Sequence, residues 1–211
     1  MPSMTARPYA GGLVTLLSKA ENLTSDALKV VLCTASYTPN YDTDTYQSAT
    51  TAYELSTGSG YTNGGLTVTS PTVTKTAANS WAQVWAASTA YVAGQYVRPT
   101  AGNGYIYFAA VGGTTSASAP TWPTVIGTTV TDGGVTWTCI GRGAVVLSFT
   151  SPSWATFSAG PFQYAVLFDS TPGTAGTNPL ILAWAFGSAQ TGGGGTFTIT
   201  LDPSGALVLP Y

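Results

Sequence analysis

Short apolar and β-branched runs, separated by turn residues, make up most of this chain. The runs VVLSF, QYAVLF, LILAWAF, TFTITL and ALVL follow one another between segments rich in Gly, Pro and Asp. Such runs bounded by turn residues are typical of short β-strands. Phe197, Ile199 and Leu201 alternate with threonines, which predicts a strand with one buried face. We therefore predict an all-β, β-sandwich-like fold.

One short helix is predicted near the N-terminus. In GGLVTLLSKAEN, Leu13, Leu16, Leu17 and Ala20 recur at helical spacing, and Asn22 is a plausible stop. The run ALKVVLC that follows predicts a buried strand.

A long polar and tyrosine-rich stretch, residues 35–60, comes after this strand. A loop of this length in a compact domain is usually functional, so we expect a functional loop or an arm that contacts a neighbour. Further on, LTVTSPTVTK is interrupted at Pro71, which predicts an edge strand or a bulge because proline cannot donate a ladder hydrogen bond.

Residues 81–142 differ in character from the rest of the chain. They hold four of the six tryptophans, together with many Gly-Gly and Pro turn signals. Insertions enter at exposed loop tips where the two ends lie close together. We therefore predict a discontinuous outer β domain, residues 1–80 plus 143–211, which carries residues 81–142 as an inserted aromatic-rich β module.

The composition excludes several classes of partner. Only 7% of the residues are charged, against a usual value of about 25%. The longest apolar runs are far shorter than the roughly 20 residues of a membrane-spanning helix. The six basic residues are scattered along the chain, whereas nucleic-acid binding needs a cluster of basic residues that neutralises several phosphates. We therefore expect neither membrane nor nucleic-acid binding. A surface of Thr, Ser, Gly and Ala suits packing against other subunits.

The candidate chemistry argues against an enzyme. The sequence has no histidine, which excludes Ser-His-Asp and Cys-His catalysis. Asp42 and Asp44 share one loop and match neither a calcium loop nor a glycosidase acid pair. Asp132 in TDGG and Asp202 in DPSG are typical turn residues, and TGGGGT lacks the Lys-Ser/Thr of a phosphate-binding loop. We expect no catalytic residue, no metal and no cofactor.

Cys33 and Cys139 fall in different predicted domains and are expected to be buried thiols. The apolar run of residues 11–17 is too short for a secretory signal, so we expect synthesis in a cytoplasm.

The aromatic residues of the insert supply the only candidate binding site. Trp85, Tyr107 and Trp137 lie in predicted strands and are expected to fill a small core. Trp122 stands in APTWP between two prolines, where it either joins the core or stays rigid at the surface for a sugar ring or a protein. We take Trp122 and Tyr105 as the candidate ligand-binding residues. A groove with both rings exposed would favour sugar binding, and a buried Trp122 would favour a structural role.

The outer segments resemble small structural proteins of tailed bacteriophages. The matching stretches are LTSDALKVVLCTASYTPNYDTDTY, GYTNGGLTVTSPTVT and YAVLFDSTPGTAGTNPLILAWAFGSAQTGGGGTFTITLDPSGALVL. These proteins are described as head decoration or minor tail proteins. The resemblance implies a β-sandwich-like fold and a place in the virion, with no catalytic residues to carry over.

The insert resembles the compact aromatic modules of phage tail and fibre proteins, which are themselves similar to small chitin-binding domains. The matching positions are Trp85, Tyr91, Gly94, Val97, Gly104, Tyr107, Pro120 and Trp122. The following GTTVTDGGVTW matches the phage version rather than the chitinase version, to which sugar binding belongs.

Together these resemblances imply a virion structural protein that is assembled in the host cytoplasm. The first hypothesis is a capsid decoration or cement protein that binds the major capsid protein or other virion proteins, forms a homo-oligomer and projects its insert. A trimer would suit a threefold position on an icosahedral head. The alternative is a minor tail or fibre protein whose insert binds a host-surface glycan.

Overall fold

The computed structural model describes residues 5–18, 22–77, 82–141, 143–201 and 205–210. Over these residues the protein is mostly β, with one α-helix near the N-terminus and several sheets. The prediction of an all-β fold with one short N-terminal helix is confirmed. Within these ranges, no helix has the length and hydropathy needed to cross a membrane.

The elements follow one another along the whole chain. The helix α1 spans Ala10–Leu17, and a 3-10 helix spans Gln47–Ala49. The strands are β1 (Thr5–Pro8), β2 (Leu28–Cys33), β3 (Leu66–Thr67), β4 (Thr72–Ala77), β5 (Gln83–Val84), β6 (Ala90–Tyr91), β7 (Tyr96–Arg98), β8 (Ile106–Val111), β9 (Gly113–Thr114), β10 (Thr129–Asp132), β11 (Val135–Gly141), β12 (Gly143–Ser148), β13 (Ser153–Trp154), β14 (Phe162–Asp169), β15 (Leu180–Gln190), β16 (Phe197–Thr198) and β17 (Leu207–Pro210).

The chain divides into two compact units. The first comprises Met1–Val73 with Leu147–Leu207, and the second comprises Thr74–Val146 with Val208–Tyr211. The residues predicted as an insert, 81–142, lie within the continuous segment of the second unit.

The first unit is built on a five-stranded antiparallel sheet with the order β1-β15-β14-β2-β3. Its central strands contain the runs ALKVVLC, QYAVLF and LILAWAF, and their side chains are buried along most of each run. Val31 of β2 lies opposite Val166 of β14. The three runs are therefore the buried strands that their apolar character predicts.

Among the described residues of the first unit, two clusters of side chains contribute to its core. One surrounds the sheet and comprises Tyr9, Val31, Cys33, Tyr37, Val166, Phe168, Leu180 and Ala183. The other is aromatic, with ring centroids 5.0 to 6.2 Å apart, and comprises Trp154, Phe157, Phe162, Phe186 and Phe197. Offset and edge-to-face pairs of this kind supply large buried areas to small cores.

Helix α1 is shorter than its periodicity predicts. It ends at Leu17 with Ser18 as its C-cap, whereas the pattern predicts a helix that continues to Asn22. The Ser18 hydroxyl donates to the Thr15 carbonyl at 3.0 Å, and such local bonds compete with the helical ladder. Residues 19–21 lie outside the described part of the chain.

The polar segment 35–60 is a loop, as predicted, but it packs on its own unit instead of extending as an arm. The Tyr41 carbonyl accepts a hydrogen bond from the Ala10 N–H at 2.8 Å, and the Thr45 carbonyl accepts one from the Leu180 N–H at 2.9 Å. Two loop carbonyls therefore accept hydrogen bonds from the first residue of α1 and from the first residue of β15. These bonds hold this part of the loop against the rest of its unit.

Pro71 lies between β3 and β4, so the predicted interruption of this strand is confirmed. β3 is an edge strand of the first unit's sheet, and β4 is an edge strand of a three-stranded sheet with the order β17-β12-β4. TFTITL forms a shorter strand than predicted, β16, although Ile199 beyond its end is buried.

The second unit contains a five-stranded sheet with the order β10-β11-β8-β7-β5, in which β5 and β7 are parallel. β11 alternates strictly between buried and half-buried residues, as a strand with one face on a core should. β6 and β9 form a small separate ladder. The five-stranded sheet and the loops beside it carry the aromatic residues of the candidate site.

Candidate functional site

A buried acidic residue organises the second unit. Asp132 ends β10 and is 2% exposed. Its Oδ2 accepts the indole N–H groups of Trp85 at 2.7 Å and of Trp137 at 3.0 Å, and its Oδ1 accepts the Ser116 backbone N–H at 2.9 Å. A buried carboxylate is costly unless such donors surround it. The three bonds therefore fix two tryptophan rings and one loop on a single side chain.

The interpretation of Asp132 as simply a turn residue is incomplete. Asp132 does pair with Val135 across a two-residue turn, Gly133-Gly134, and Gly133 has the positive φ that such a hairpin requires. However, the carboxylate points into the core instead of capping the turn. The partner Trp85 lies 47 positions away in the sequence, a separation that no local pattern reveals.

The predicted aromatic core is confirmed. Trp137 and Tyr107 are fully buried and Trp85 is nearly so, in one cluster with Tyr91 and Cys139. The Tyr91 and Trp137 rings meet edge-to-face with centroids 5.1 Å apart. Both cysteines are free and buried, as predicted, and burial raises the pKa of each thiol.

Trp122 is neither a fully buried core residue nor a fully exposed surface residue, the two alternatives that the sequence left open. It is half-buried and packs against this cluster, with its ring centroid 4.4 Å from that of Tyr107 and 6.1 Å from that of Trp137. The ring is therefore supported by the core on one side while part of it remains accessible. Trp122 is thus a half-buried residue that covers the edge of the core.

Hydrogen bonds around Tyr107 hold the Trp122 segment in place. The Tyr107 hydroxyl donates to the Pro123 carbonyl at 2.7 Å and accepts from the Asn103 amide at 2.7 Å. Burial raises the pKa of Tyr107, although the Asn103 hydrogen bond opposes this effect. The phenol therefore stays protonated at neutral pH and remains a donor to the loop.

The second candidate, Tyr105, is half-buried and packs against the same cluster as Trp122. Its backbone N–H donates to the Asn103 side-chain oxygen at 3.0 Å. The Asn103 side chain therefore links the Tyr105 backbone to the hydroxyl of Tyr107, whose ring packs against Trp122. The structure places both candidate residues, half-buried, around one aromatic cluster.

Two further apolar residues follow Trp122 and were not predicted. Val125 and Ile126 are 64% and 61% exposed, in a turn closed by the Thr128 N–H to the Val125 carbonyl. The Gly127 N–H donates to the Cys139 carbonyl at 2.7 Å, which joins this turn to β11. The sequence signal for this exposed turn is VIG, a pair of aliphatic residues directly before a turn glycine. We call Tyr105, Trp122, Val125 and Ile126 the Trp122 surface.

The Trp122 surface carries no acid-base pair. Between residues 82 and 141, the sequence has one basic side chain, Arg98, and one carboxylate, Asp132. The Asp132 carboxylate already accepts three hydrogen bonds inside the core. In the ranges that the structure covers, no group of three or more Cys, Asp or Glu residues could hold a metal ion.

The other acidic candidates are turn residues or lie outside the described chain. The Asp44 carboxylate accepts the Asn40 N–H at 2.9 Å and the Tyr37 hydroxyl at 3.1 Å, which caps the loop. The Asp42 N–H donates to the Asn40 side chain in the same turn. Asp202 lies outside the described residues.

Comparison with protein-family models, with curated proteins and with solved structures finds none that matches this chain. The resemblance to phage proteins therefore stays a prediction, and the function is argued from the molecule's own surfaces.

Proposed function

We propose that this chain is a structural protein of a bacteriophage particle, a capsid decoration protein that binds the major capsid protein or other virion proteins without catalysing a reaction. In this proposal the first unit attaches to the particle and associates with further copies of itself. The second unit is a module that carries the Trp122 surface.

The observation that carries the proposal is the orientation of helix α1. Its buried residue is Gly12, where a Cβ would lie 2.3 Å from the Leu180 carbonyl oxygen. Two of its large apolar residues face outward, with Val14 65% and Leu17 85% exposed. Contiguous exposed apolar side chains mark protein contact sites more often than free surface.

The scarcity of charge supports the same proposal. The sequence holds six basic and eight acidic residues in 211, with a formal net charge of −2. Free proteins use charged surfaces to stay soluble and apart. A chain with so little charge and exposed aliphatic residues suits a position in an assembly, where neighbours cover those residues.

Immunogold electron microscopy tests the proposal directly. Antibodies raised against the full chain would be applied to purified particles from the phage that encodes it. Label distributed over the head is the expected result. Label confined to the tail would replace decoration by a tail role, and intact particles without any label would reject the virion assignment.

Glycan binding by the second unit is a second candidate function, favoured by the half-buried ring of Trp122, which packs on the aromatic core. A flat aromatic held in this way can stack on a sugar ring, and Tyr105 lies against the same cluster. Titration with chitin oligosaccharides, followed by tryptophan fluorescence, would show saturable binding. Trp122→Ala should abolish it, whereas Val92→Ala, another exposed apolar change in this unit, should not. Equal binding by both variants would reject this site.

A further inference from the structure

A polar cleft in the first unit is lined by residues 54–59 and 158–160 together with Thr34. Its volume is about 400 Å³, within the usual range of ligand sites. One wall is the turn Gly58–Tyr61, closed by two backbone hydrogen bonds of 2.9 Å. The other wall contains Ser158, whose N–H donates to the Ser59 carbonyl at 2.8 Å. The two walls are therefore joined by the backbone.

Gly60 allows the walls to approach so closely. It has a φ of +83°, and a Cβ there would lie 2.6 Å from the Thr156 carbonyl oxygen. No other residue type would fit this position without moving the opposite wall. The cleft is thus a consequence of the local sequence TGSGY and of a distant segment packed against it.

Glu54 lies in this cleft with its carboxylate held in a fixed orientation. Its Oε1 accepts the Tyr61 hydroxyl at 2.6 Å and the Gly64 N–H at 2.7 Å. The Tyr61 hydroxyl in turn accepts the Leu32 N–H at 3.1 Å. A carboxylate has about four acceptor positions, so these bonds and the one from Gly65 do not exhaust it.

The lining has a clear chemical bias. Of the described residues that line the cleft, Glu54 is the one ionisable group, and hydroxyl residues supply much of the rest: Thr34, Ser56, Thr57, Ser59 and Ser158. The lining includes neither a cationic nor an aromatic side chain. A carboxylate surrounded by hydroxyl oxygens offers acceptors to a group that is positively charged and rich in donors.

We propose that this cleft binds an alkylammonium group, with Glu54 as its anionic partner and the surrounding hydroxyls as further acceptors. The group would belong to a free amine or to a lysine side chain of another protein. Burial raises the pKa of Glu54 despite the opposing charge of Lys29, and an ammonium in the cleft would favour the ionised carboxylate. The site is independent of the Trp122 surface and of the proposed attachment through α1.

The test is a titration of the isotope-labelled full-length protein with n-butylammonium chloride, at constant ionic strength and pH 7.5, followed by amide NMR shifts. Saturable shifts at residues 54–60 and 158–160 are expected. Glu54→Gln keeps an acceptor for Tyr61 but removes the charge, so it should weaken binding at least tenfold. Asp42→Asn removes an equal charge from an exposed turn of the same unit and should change the affinity less than twofold.

Three outcomes would overturn the proposal. They are the absence of saturable shifts in the wild type, unchanged affinity in Glu54→Gln with a native-like spectrum, and equal binding of n-butanol. A neutral alcohol that binds equally well would mean that the cleft recognises hydroxyl groups or the alkyl chain. A second titration compares a blocked lysine tripeptide with its norleucine analogue. Binding of the lysine peptide alone identifies a protein side chain as a source, and binding of butylammonium without the peptide identifies a free amine.

Discussion

The carboxylates of Asp132, which is buried, and Glu54, which is half-buried, each accept several hydrogen bonds. Asp132 collects two indole N–H groups and a backbone N–H in the second unit. Glu54 collects a phenol and a glycine N–H in the first unit. Buried carboxylates are tolerated when donors replace the lost water. The donors to Glu54 lie 7 and 10 positions further along the chain, whereas Trp85 lies 47 positions from Asp132. Neither arrangement follows a recognised sequence pattern, because the turns between donor and acceptor decide which groups meet.

Replacement of Asp132 by Asn tests how strongly the second unit depends on it. The amide oxygen can serve the two indoles, but the NH₂ group then faces the Ser116 N–H, so donors oppose each other. We expect a loss of about 1–3 kcal/mol in the free energy of unfolding. Urea unfolding, followed by tryptophan fluorescence and near-UV circular dichroism, would measure it. Asp42→Asn, in an exposed turn, should stay within about 0.5 kcal/mol of the wild type. A variant Asp132→Asn as stable as this control would contradict the structural role.

The raised pKa of Glu54 leads us to expect that the free energy of unfolding depends on pH. Burial raises the pKa of its carboxyl above the ordinary 4.5, although hydrogen bonds from Tyr61, Gly64 and Gly65 oppose this shift. The folded protein therefore holds this proton more tightly than the unfolded chain. Its contribution to stability is complete below about pH 4.5 and is lost as the pH rises through the raised pKa.

The measurement is the free energy of unfolding of the wild type minus that of Glu54→Gln, determined by urea unfolding between about pH 4 and pH 8. This difference should fall as the pH rises and then become constant. A difference that stays flat or increases with pH would show that burial of Glu54 does not govern its titration.

At the scale of elements, helix α1 buries Gly12 and exposes Val14 and Leu17. A surface helix usually turns its apolar stripe toward the core. Here the close approach of α1 to β15 leaves no space for a side chain at Gly12, and Val14 and Leu17 point outward. The helical spacing of the leucines predicted the helix but not the face that it buries. Its contact with β15, more than 160 positions away, decides that.

Gly12→Ala should destabilise the first unit although alanine is the better helix former. The new Cβ would lie 2.3 Å from the Leu180 carbonyl oxygen and 2.9 Å from the Ile181 Cα, both of which are backbone atoms. Such overpacking costs about 1–3 kcal/mol, more than the roughly 1 kcal/mol gained in helix propensity. Gly176→Ala is the matched control, because no atom lies within 4 Å of its Cβ position. Thermal unfolding of both variants gives the comparison, and equal melting temperatures would contradict the packing of α1.

At the scale of the whole molecule, the surface is poor in charge and carries exposed aliphatic residues in both units. Interactions through such surfaces depend on apolar burial rather than on ion pairs. The proposed assembly role therefore has a physical signature that an attachment through charged residues would not share.

If the chain attaches through α1, its binding to particles should be insensitive to salt and sensitive to Leu17. We expect less than a twofold change in affinity between about 0.05 and 0.5 M NaCl, because screening acts on charges. Leu17→Asp should weaken binding at least tenfold, and Val111→Asp, an exposed change in the second unit, should not. Co-sedimentation of purified protein with particles that lack it would measure both. Strong salt dependence, or equal effects of the two variants, would reject attachment through α1.

The sequence by itself determined the all-β class, the buried central strands, the burial of both thiols and the aromatic core around Trp137, since each follows from local patterns of apolar and polar residues. The tertiary structure alone decided which groups meet: three donors on Asp132, the tyrosine beside Glu54, Gly12 of α1 against β15 and the half-buried ring of Trp122 on the core. A local pattern records how apolar each position is. It does not record which distant donors, backbones or rings will converge on that position, and the candidate sites of this protein depend on those convergences.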